Sequence, residues 1–337
     1  MARLTTFSRL LITLLIVAGV FFGVRYFSPN LGKSDASSAA QTEQPAGATT
    51  GTSSSGASGG TSSTWGKSSG SFTPAPFNFT APAPSNGKLK GVVELGATGF
   101  NSFIIRVDGQ KNWKLEKAEY GVSLVKEGLA TDDDIKSGLR RYISDMVSFG
   151  VGARDIHFVI SSGAKKEAIT EKISAALKTM GYFVNEVTPE QEGKLALKAA
   201  LPRDYQSRAF VTDIGSGNTK ISWLPGSALE APGAKYYQNN LSAGQVYQEV
   251  KGKAEQVPSN LRNTCFIIGG VPYELAKQHR NGKERYTVLK APADYKPEGA
   301  KQEAGLNIYG AIADATGCKQ FVFDWDANFT IGFLLGI

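Results

Sequence analysis

Phe210-Val211-Thr212-Asp213-Ile214-Gly215-Ser216-Gly217-Asn218-Thr219-Lys220-Ile221 is an apolar run ending in an acid, then a glycine-rich turn, then a second apolar run. The pattern predicts a strand, a tight turn and a returning strand. At such a turn, backbone N–H groups and small hydroxyls can close on a phosphate while Asp213 faces a metal or water. A purely structural hairpin can carry the same Gly-Ser-Gly-Asn tip, so the stretch alone leaves both readings open. A second copy of the pattern shifts the balance. Gly91-Val92-Val93-Glu94-Leu95-Gly96-Ala97-Thr98-Gly99-Phe100 again runs apolar, acid, aliphatic, glycine, small, small, and Ser102-Phe103-Ile104-Ile105 continues as a strand. Two such hairpins imply two similar lobes facing each other across a cleft. A third glycine turn, Gly269-Gly270, follows the apolar run Phe266-Ile267-Ile268 and precedes the helix-like Tyr273-Glu274-Leu275-Ala276-Lys277. Glycines at such a turn let backbone approach a ligand closely.

The first part of the 337-residue chain reads differently. Residues 1–9 carry Arg3 and Arg9, and residues 10–27 form an apolar stretch closed by Arg25-Tyr26-Phe27, which predicts a transmembrane signal anchor. The excess of positive charge before the stretch places the N-terminus in the cytoplasm and the rest outside, in the periplasm or its equivalent. Residues 28–88 are rich in Ser, Gly, Thr, Ala and Pro with few aliphatics, a composition that predicts a disordered linker. As a flexible tether of about 60 residues it would span roughly 40 Å.

The formal charge of +7 suggests nucleic acid until it is divided. Residues 1–88 carry six of the 37 Lys and Arg and two of the 30 Asp and Glu, which leaves +3 for the remainder. With no Arg-rich run interleaved with aromatics, nucleic-acid binding is not expected. The two cysteines, Cys265 and Cys318, lack metal-ligand spacing, and the two histidines do not cluster with them, so no zinc site is expected. Both cysteines start apolar strand-like runs; on neighbouring parallel strands they could form a disulfide, and otherwise they are buried free thiols.

Residues 89–207 predict a first lobe and residues 208–337 a second. The first contains the Glu94 hairpin, a strand over 113–120, a helix over 132–149, a strand over 156–161, a helix over 165–180 and a strand over 182–187. A helix over 189–200 then crosses to the second lobe. There the scheme repeats, with strands over 209–214 and 219–224, a strand near 235–240, a helix over 244–255, a strand over 265–268, a helix over 302–315 and a strand over 319–324. The fold class is α/β, a duplicated ribonuclease-H-like fold of two lobes, as in actin-like ATPases.

Four segments carry a more specific likeness: the two hairpins, Ile160-Ser161-Ser162-Gly163-Ala164-Lys165-Lys166-Glu167-Ala168, and the run from Tyr182 through Glu186 and Glu190 to Gly193. In this order they resemble the exopolyphosphatase and guanosine pentaphosphate phosphatase family (Ppx/GppA) of the actin and sugar-kinase superfamily. The resemblance implies a Mg2+-dependent hydrolase of terminal phosphoanhydride bonds in polyphosphate or a short phosphorylated ligand. It implies Glu192 as the carboxylate that activates water, and Asp213 and Glu94 as metal ligands. It also implies phosphate contacts from Gly96, Ala97, Thr98, Lys166, Gly215, Ser216, Gly217, Asn218 and Thr219. The chain departs from the family pattern at several points: Glu94 replaces an aspartate, Lys166 an arginine, Ile169 an asparagine and Lys220 a glutamate. A competing expectation is therefore a module of the same fold that binds phosphate or a protein partner after its chemistry has lapsed. A third, an actin-like assembling protein, suits a tethered chain less well.

Overall fold

A computed structural model describes residues 72–96, 99–120, 131–166 and 168–337. The expected membrane anchor at 10–27 and the linker as far as residue 71 lie outside the described residues. Among the described residues no helix is long and apolar enough to cross a membrane.

Alternation along the strands organises the molecule, because every second residue of a strand points to the opposite face. In β1 (Lys88–Gly96) Val92 and Val93 are both buried, but in different cores. β1 pairs antiparallel with β2 (Gly99–Val107), which pairs with β3 (Trp113–Tyr120). On its other side β1 runs parallel to β4 (Ile156–Ile160), and β4 runs parallel to β5 (Val184–Glu186). The order is β3-β2-β1-β4-β5. Val93, Leu95 and Ile104 pack under α1 (Asp132–Phe149) and α2 (Ala168–Thr179). Thr131 and Asp134 form a reciprocal capping box at the start of α1, which stops at Gly150 in the left-handed conformation.

The second lobe repeats the plan. β6 (Ala209–Ile214), β7 (Asn218–Trp223) and β8 (Ser227–Pro232) form the meander, and β9 (Thr264–Ile268) and β11 (Phe321–Asp324) add in parallel on the far side of β6. β10 (Tyr286–Val288) completes the edge, giving the order β10-β11-β9-β6-β7-β8. Phe210, Cys265 and Ile267 face an outer core with α4 (Ala243–Ala254), α5 (Gly270–Lys277) and α6 (Ala300–Thr316). Their neighbours Val211, Phe266 and Ile268 face inward and share one core with Val92, Phe103 and Ile105 of the first sheet. α3 (Pro189–Ala200) and α7 (Phe329–Gly336) fill the space between. The lobes are thus joined by a common apolar layer, not by a linker alone.

Three expectations need correction. The strand near 235–240 is a short 3-10 turn, Tyr236–Asn239, and the third strand of the meander comes earlier, as β8. β10 and α7 have no counterpart in the sequence-based assignment; each is short, and α7 is apolar all round because it is enclosed. Finally, residues 72–87, expected within the disordered linker, are ordered: 72–79 pack against the second lobe, and Ser85 and Gly87 are hydrogen-bonded to Asp108 and Arg106 of the first. The Ala75 N–H donates to the Lys319 carbonyl at 3.3 Å, and the Gln320 side chain donates to the Pro76 carbonyl at 2.7 Å. The Phe77 ring lies 5.3 Å from those of Tyr205 and Tyr286 and 5.7 Å from that of Phe266. Pro74 and Pro76 preset extended backbone, and the aromatic contacts offset the remaining ordering entropy. Phe77→Ala should therefore lower stability to urea by roughly 2–3 kcal/mol and expose residues 72–83 to limited proteolysis; an unchanged digestion pattern would contradict this docking.

Candidate functional site

Asp213 and Lys220 are directly paired across β6 and β7, so their side chains share one face of the sheet. That face is the inner one, since Val211 points into the shared core and Ile221 into the outer one. α3 brings a second carboxylate to the same place. Thr188 and Gln191 cap the helix reciprocally and Pro189 opens it, which sets the phase so that Glu192 lies on the buried face with Ala196 and Ala200.

Glu192 is 1% exposed and Lys220 8%, and their Oε2 and Nζ atoms are 2.5 Å apart. The Ser162 N–H donates to Glu192 Oε1 at 2.6 Å and the Ser162 hydroxyl to Oε2 at 3.0 Å. Ser162 follows β4, where the Ser161 N–H is held by the Leu95 carbonyl, so the first lobe supplies these donors. The Asn218 side-chain amide reaches Ser162 Oγ at 3.4 Å and Glu230 at 2.7 Å. Glu94 approaches from β1, and its Oε2 accepts from the Asn101 amide and from the Asn328 amide, each at 3.1 Å. Asn328 caps α7 with its oxygen, so one side chain both starts that helix and holds a carboxylate of the other lobe.

Burial raises the Glu94 pKa to about 7, the two amides oppose it, and the charges of Asp213 and Glu192 add to it. Burial also raises Asp213, while Lys220 works the other way. Burial acts against the Lys220 ammonium, yet the charges of Asp213, Glu192 and Glu94 and the hydrogen bond to Glu192 hold its pKa above the ordinary lysine range. One ammonium thus sits among three carboxylates drawn from β1, β6 and α3.

The turn after β6 is stitched to the segment after β8. The Ala234, Lys235 and Gly233 N–H groups donate to the carbonyls of Gly215, Ser216 and Gly217. The N–H groups of Ser216 and Gly217 meet no acceptor among the described residues, and this part of the turn is at least partly exposed. Thr219 is fully buried and its hydroxyl donates to the Pro232 carbonyl, so it braces the hairpin and does not face the cleft. Gly269 has φ 107°, and a Cβ there would lie 2.3 Å from the Ile214 carbonyl oxygen and 2.8 Å from Asp213 Oδ1. Only glycine lets the Gly269-Gly270 turn, which opens α5, close over the acid.

The structure therefore brings together Glu94, Glu192, Asp213, the 215–218 turn and Gly269. Gly96 ends β1 beside them, whereas Ala97 and Thr98 lie outside the described residues. Lys166 ends a 3-10 turn whose last side chain is also outside them. Ser162, Asn101 and Asn328 are site residues that carried no assigned role in the sequence, and Lys220 carried only that of a departure from the pattern. The signal for Lys220 and Glu192 was present: each is a charge at a position where strand or helix periodicity demands burial. Cys265 and Cys318 do lie on the parallel strand β9 and next to β11, and both are buried free thiols, the second of the two states the sequence left open. Burial pushes the Cys318 thiol up to about 11 and raises Cys265 well above the ordinary thiol range.

The oxygen donors here suit Mg2+ chemically. Their arrangement does not: both Glu192 oxygens and Glu94 Oε2 already accept from ammonium, backbone, hydroxyl and amide donors, and the Lys220 ammonium lies against Glu192. Among the described residues no three ligating side chains converge to hold a metal. A cavity of about 900 Å3, lined by Trp113, Lys198, Arg203, Arg285 and Tyr286 among others, contains none of these groups and lies apart from them.

A ribonuclease-H-like pair of lobes with acid-glycine hairpins defines the actin-like class of folds. Within it, the chain is similar to the Ppx/GppA protein of Aquifex aeolicus, with 17% identity over 74% of this chain and 97% of that one and a TM-score of 0.57. A second Aquifex aeolicus structure gives a TM-score of 0.58 at 16% identity, covering 74% of this chain and 99% of that one. An exopolyphosphatase from Cytophaga hutchinsonii gives 0.52 at 13% identity over 74% and 99%. The likeness is one of fold: the chain adopts the Ppx/GppA form of the actin-like fold. No family model and no curated protein matches the sequence.

The Glu94 carboxyl holds its proton more tightly in the folded chain, about 7 against 4.5. Its contribution to stability is thus complete below pH 4.5 and is lost as pH rises through 7. Glu94→Gln keeps an oxygen acceptor without the charge. It should raise stability at pH 8 by roughly 2–3 kcal/mol and flatten the fall in melting temperature between pH 5 and 8; parallel curves for the two proteins would count against this assignment.

Proposed function

We propose that this chain is a membrane-tethered, extracytoplasmic module that binds a phosphorylated anion between its lobes and no longer hydrolyses it. The observation that carries the reading is the buried Glu192–Lys220 pair. A general base needs a free lone pair within reach of the water it deprotonates. Both Glu192 oxygens are instead occupied by Lys220 and Ser162, and the residue is 1% exposed. Charge inversion at Lys220, where the resembling family has a glutamate, accounts for the change.

Binding is supported by what remains. The Ser216 and Gly217 N–H groups meet no acceptor among the described residues at a partly exposed turn, and the Gly269-Gly270 turn closes over Asp213 beside it. Similarity of fold to structures described as Ppx/GppA phosphatases and exopolyphosphatases supports polyphosphate or a short phosphorylated ligand as the anion. The apolar stretch at 10–27 and the Arg3 and Arg9 bias support the anchored placement.

One observation favours the hydrolytic alternative: Glu94, with its pKa at about 7, lies in the range of a general base. Its Oε2 is taken by two amides, which leaves the carboxyl less free to move toward a water.

The full chain in detergent, incubated with polyphosphate and Mg2+, should release no phosphate above a protein-free blank, while calorimetry with pyrophosphate or polyphosphate should show saturable binding. Phosphate release that disappears in Glu192→Ala would overturn the proposal in favour of hydrolysis. An absence of binding as well would dispose of both readings.

A further inference from the structure

We propose that the Lys220 ammonium stands in for the divalent cation of this cleft, so that the site takes up phosphoryl anions without a metal. The inference rests on the cleft being the anion site described above, and it concerns how that site is neutralised.

Three carboxylates cannot be gathered in a buried site without a cation. Asp213 and Lys220 are register partners on β6 and β7, Lys220 Nζ is 2.5 Å from Glu192, and Glu94 adds its charge from the other lobe. The ammonium therefore contacts Glu192 directly and lies in the field of Asp213 and Glu94. It is covalently fixed there, one residue beyond the 215–219 turn. The first residues of the hairpin tip can meet an anion while the positive charge stays underneath.

The surroundings are built for an ammonium. Mg2+ requires about six oxygens in near-octahedral array at roughly 2.0–2.1 Å, usually including several waters. Here the other partners of Glu192 and Glu94 are donors, namely the Ser162 N–H and hydroxyl on the first and the Asn101 and Asn328 amides on the second. Donors on a carboxylate compete with a metal for the same lone pairs. A divalent ion entering beside Lys220 would also meet a like charge in a site of low polarity. An ammonium neutralises and hydrogen-bonds, but it cannot offer a phosphoryl oxygen two coordination positions, which fits a cleft that binds and does not turn over.

Free Mn2+ followed by electron paramagnetic resonance tests this on the full chain. The parent should leave the free Mn2+ signal unchanged, and so should Lys220→Arg, which keeps the charge. Lys220→Met and Lys220→Glu should deplete it, with affinity tighter by about tenfold or more, the effect of removing one like-charge contact. Pyrophosphate binding to the parent should be the same with and without EDTA.

Mn2+ binding by the parent that is lost in Asp213→Asn would overturn the proposal, as would abolition of pyrophosphate binding by EDTA. If Lys220→Met fails to fold, the parent and Lys220→Arg titrations still decide the matter. If the parent binds no pyrophosphate while the Mn2+ pattern holds, the anion-binding reading fails and the replacement of the metal stands.

Discussion

A charged lysine buried between two lobes is tolerated only when carboxylates meet it, and most of what is particular to this protein follows from that requirement. Lys220 draws Glu192 from the crossing helix and Asp213 from the neighbouring strand, and the charge of Glu94 reaches it from the opposite sheet. Desolvation makes each of these ions costly alone; together they compensate one another. Removing Lys220 strands the acids it faces, so the cluster holds the inner ends of the lobes in a single arrangement.

The apolar layer beneath has the same effect by different means. Strand alternation sends half of each sheet into a core the lobes share, where α3 and α7 lie against both. α3 thus has two tasks. Its apolar stripe seals the shared core, and at one position of that stripe it presents Glu192 to Lys220. α7 is coupled in a similar way, since the Asn328 side chain that starts it also donates to Glu94. Folding and site assembly are consequently one event, and the chemistry of the site is set by which donors the packing delivers to each acid.

On the proposed reading, that coupling lets an actin-like fold survive while its reaction lapses. The hairpins, helix caps and glycine turns depend on backbone geometry and are retained. Catalysis depends on a carboxylate with a free lone pair and on a vacant position for a cation, and on the proposed reading a single charge inversion removes both. A glutamate at 220 would repel Glu192 and Asp213, so that only an external cation could reconcile them; a lysine makes that cation redundant.

The sequence by itself determined the two-lobed plan, because hairpin glycines, strand alternation and capping residues are local signals that act over a few residues. Through the family resemblance it also marked Asp213, Glu94 and Glu192 as the acids of a site. It misplaced one strand at 235–240 and assigned 72–87 to a disordered linker, since the docking of Phe77 requires a surface built from Tyr205, Phe266 and Tyr286, which are distant in the chain. Only the tertiary structure decided the state of the site. Glu192 meets Lys220 and Ser162, and Glu94 meets Asn328 across 234 residues, through packing of helices on sheets that no local pattern encodes. Whether a carboxylate is a base, a metal ligand or half of an ion pair depends on what lies within about 3 Å of it, and that is a property of the folded chain.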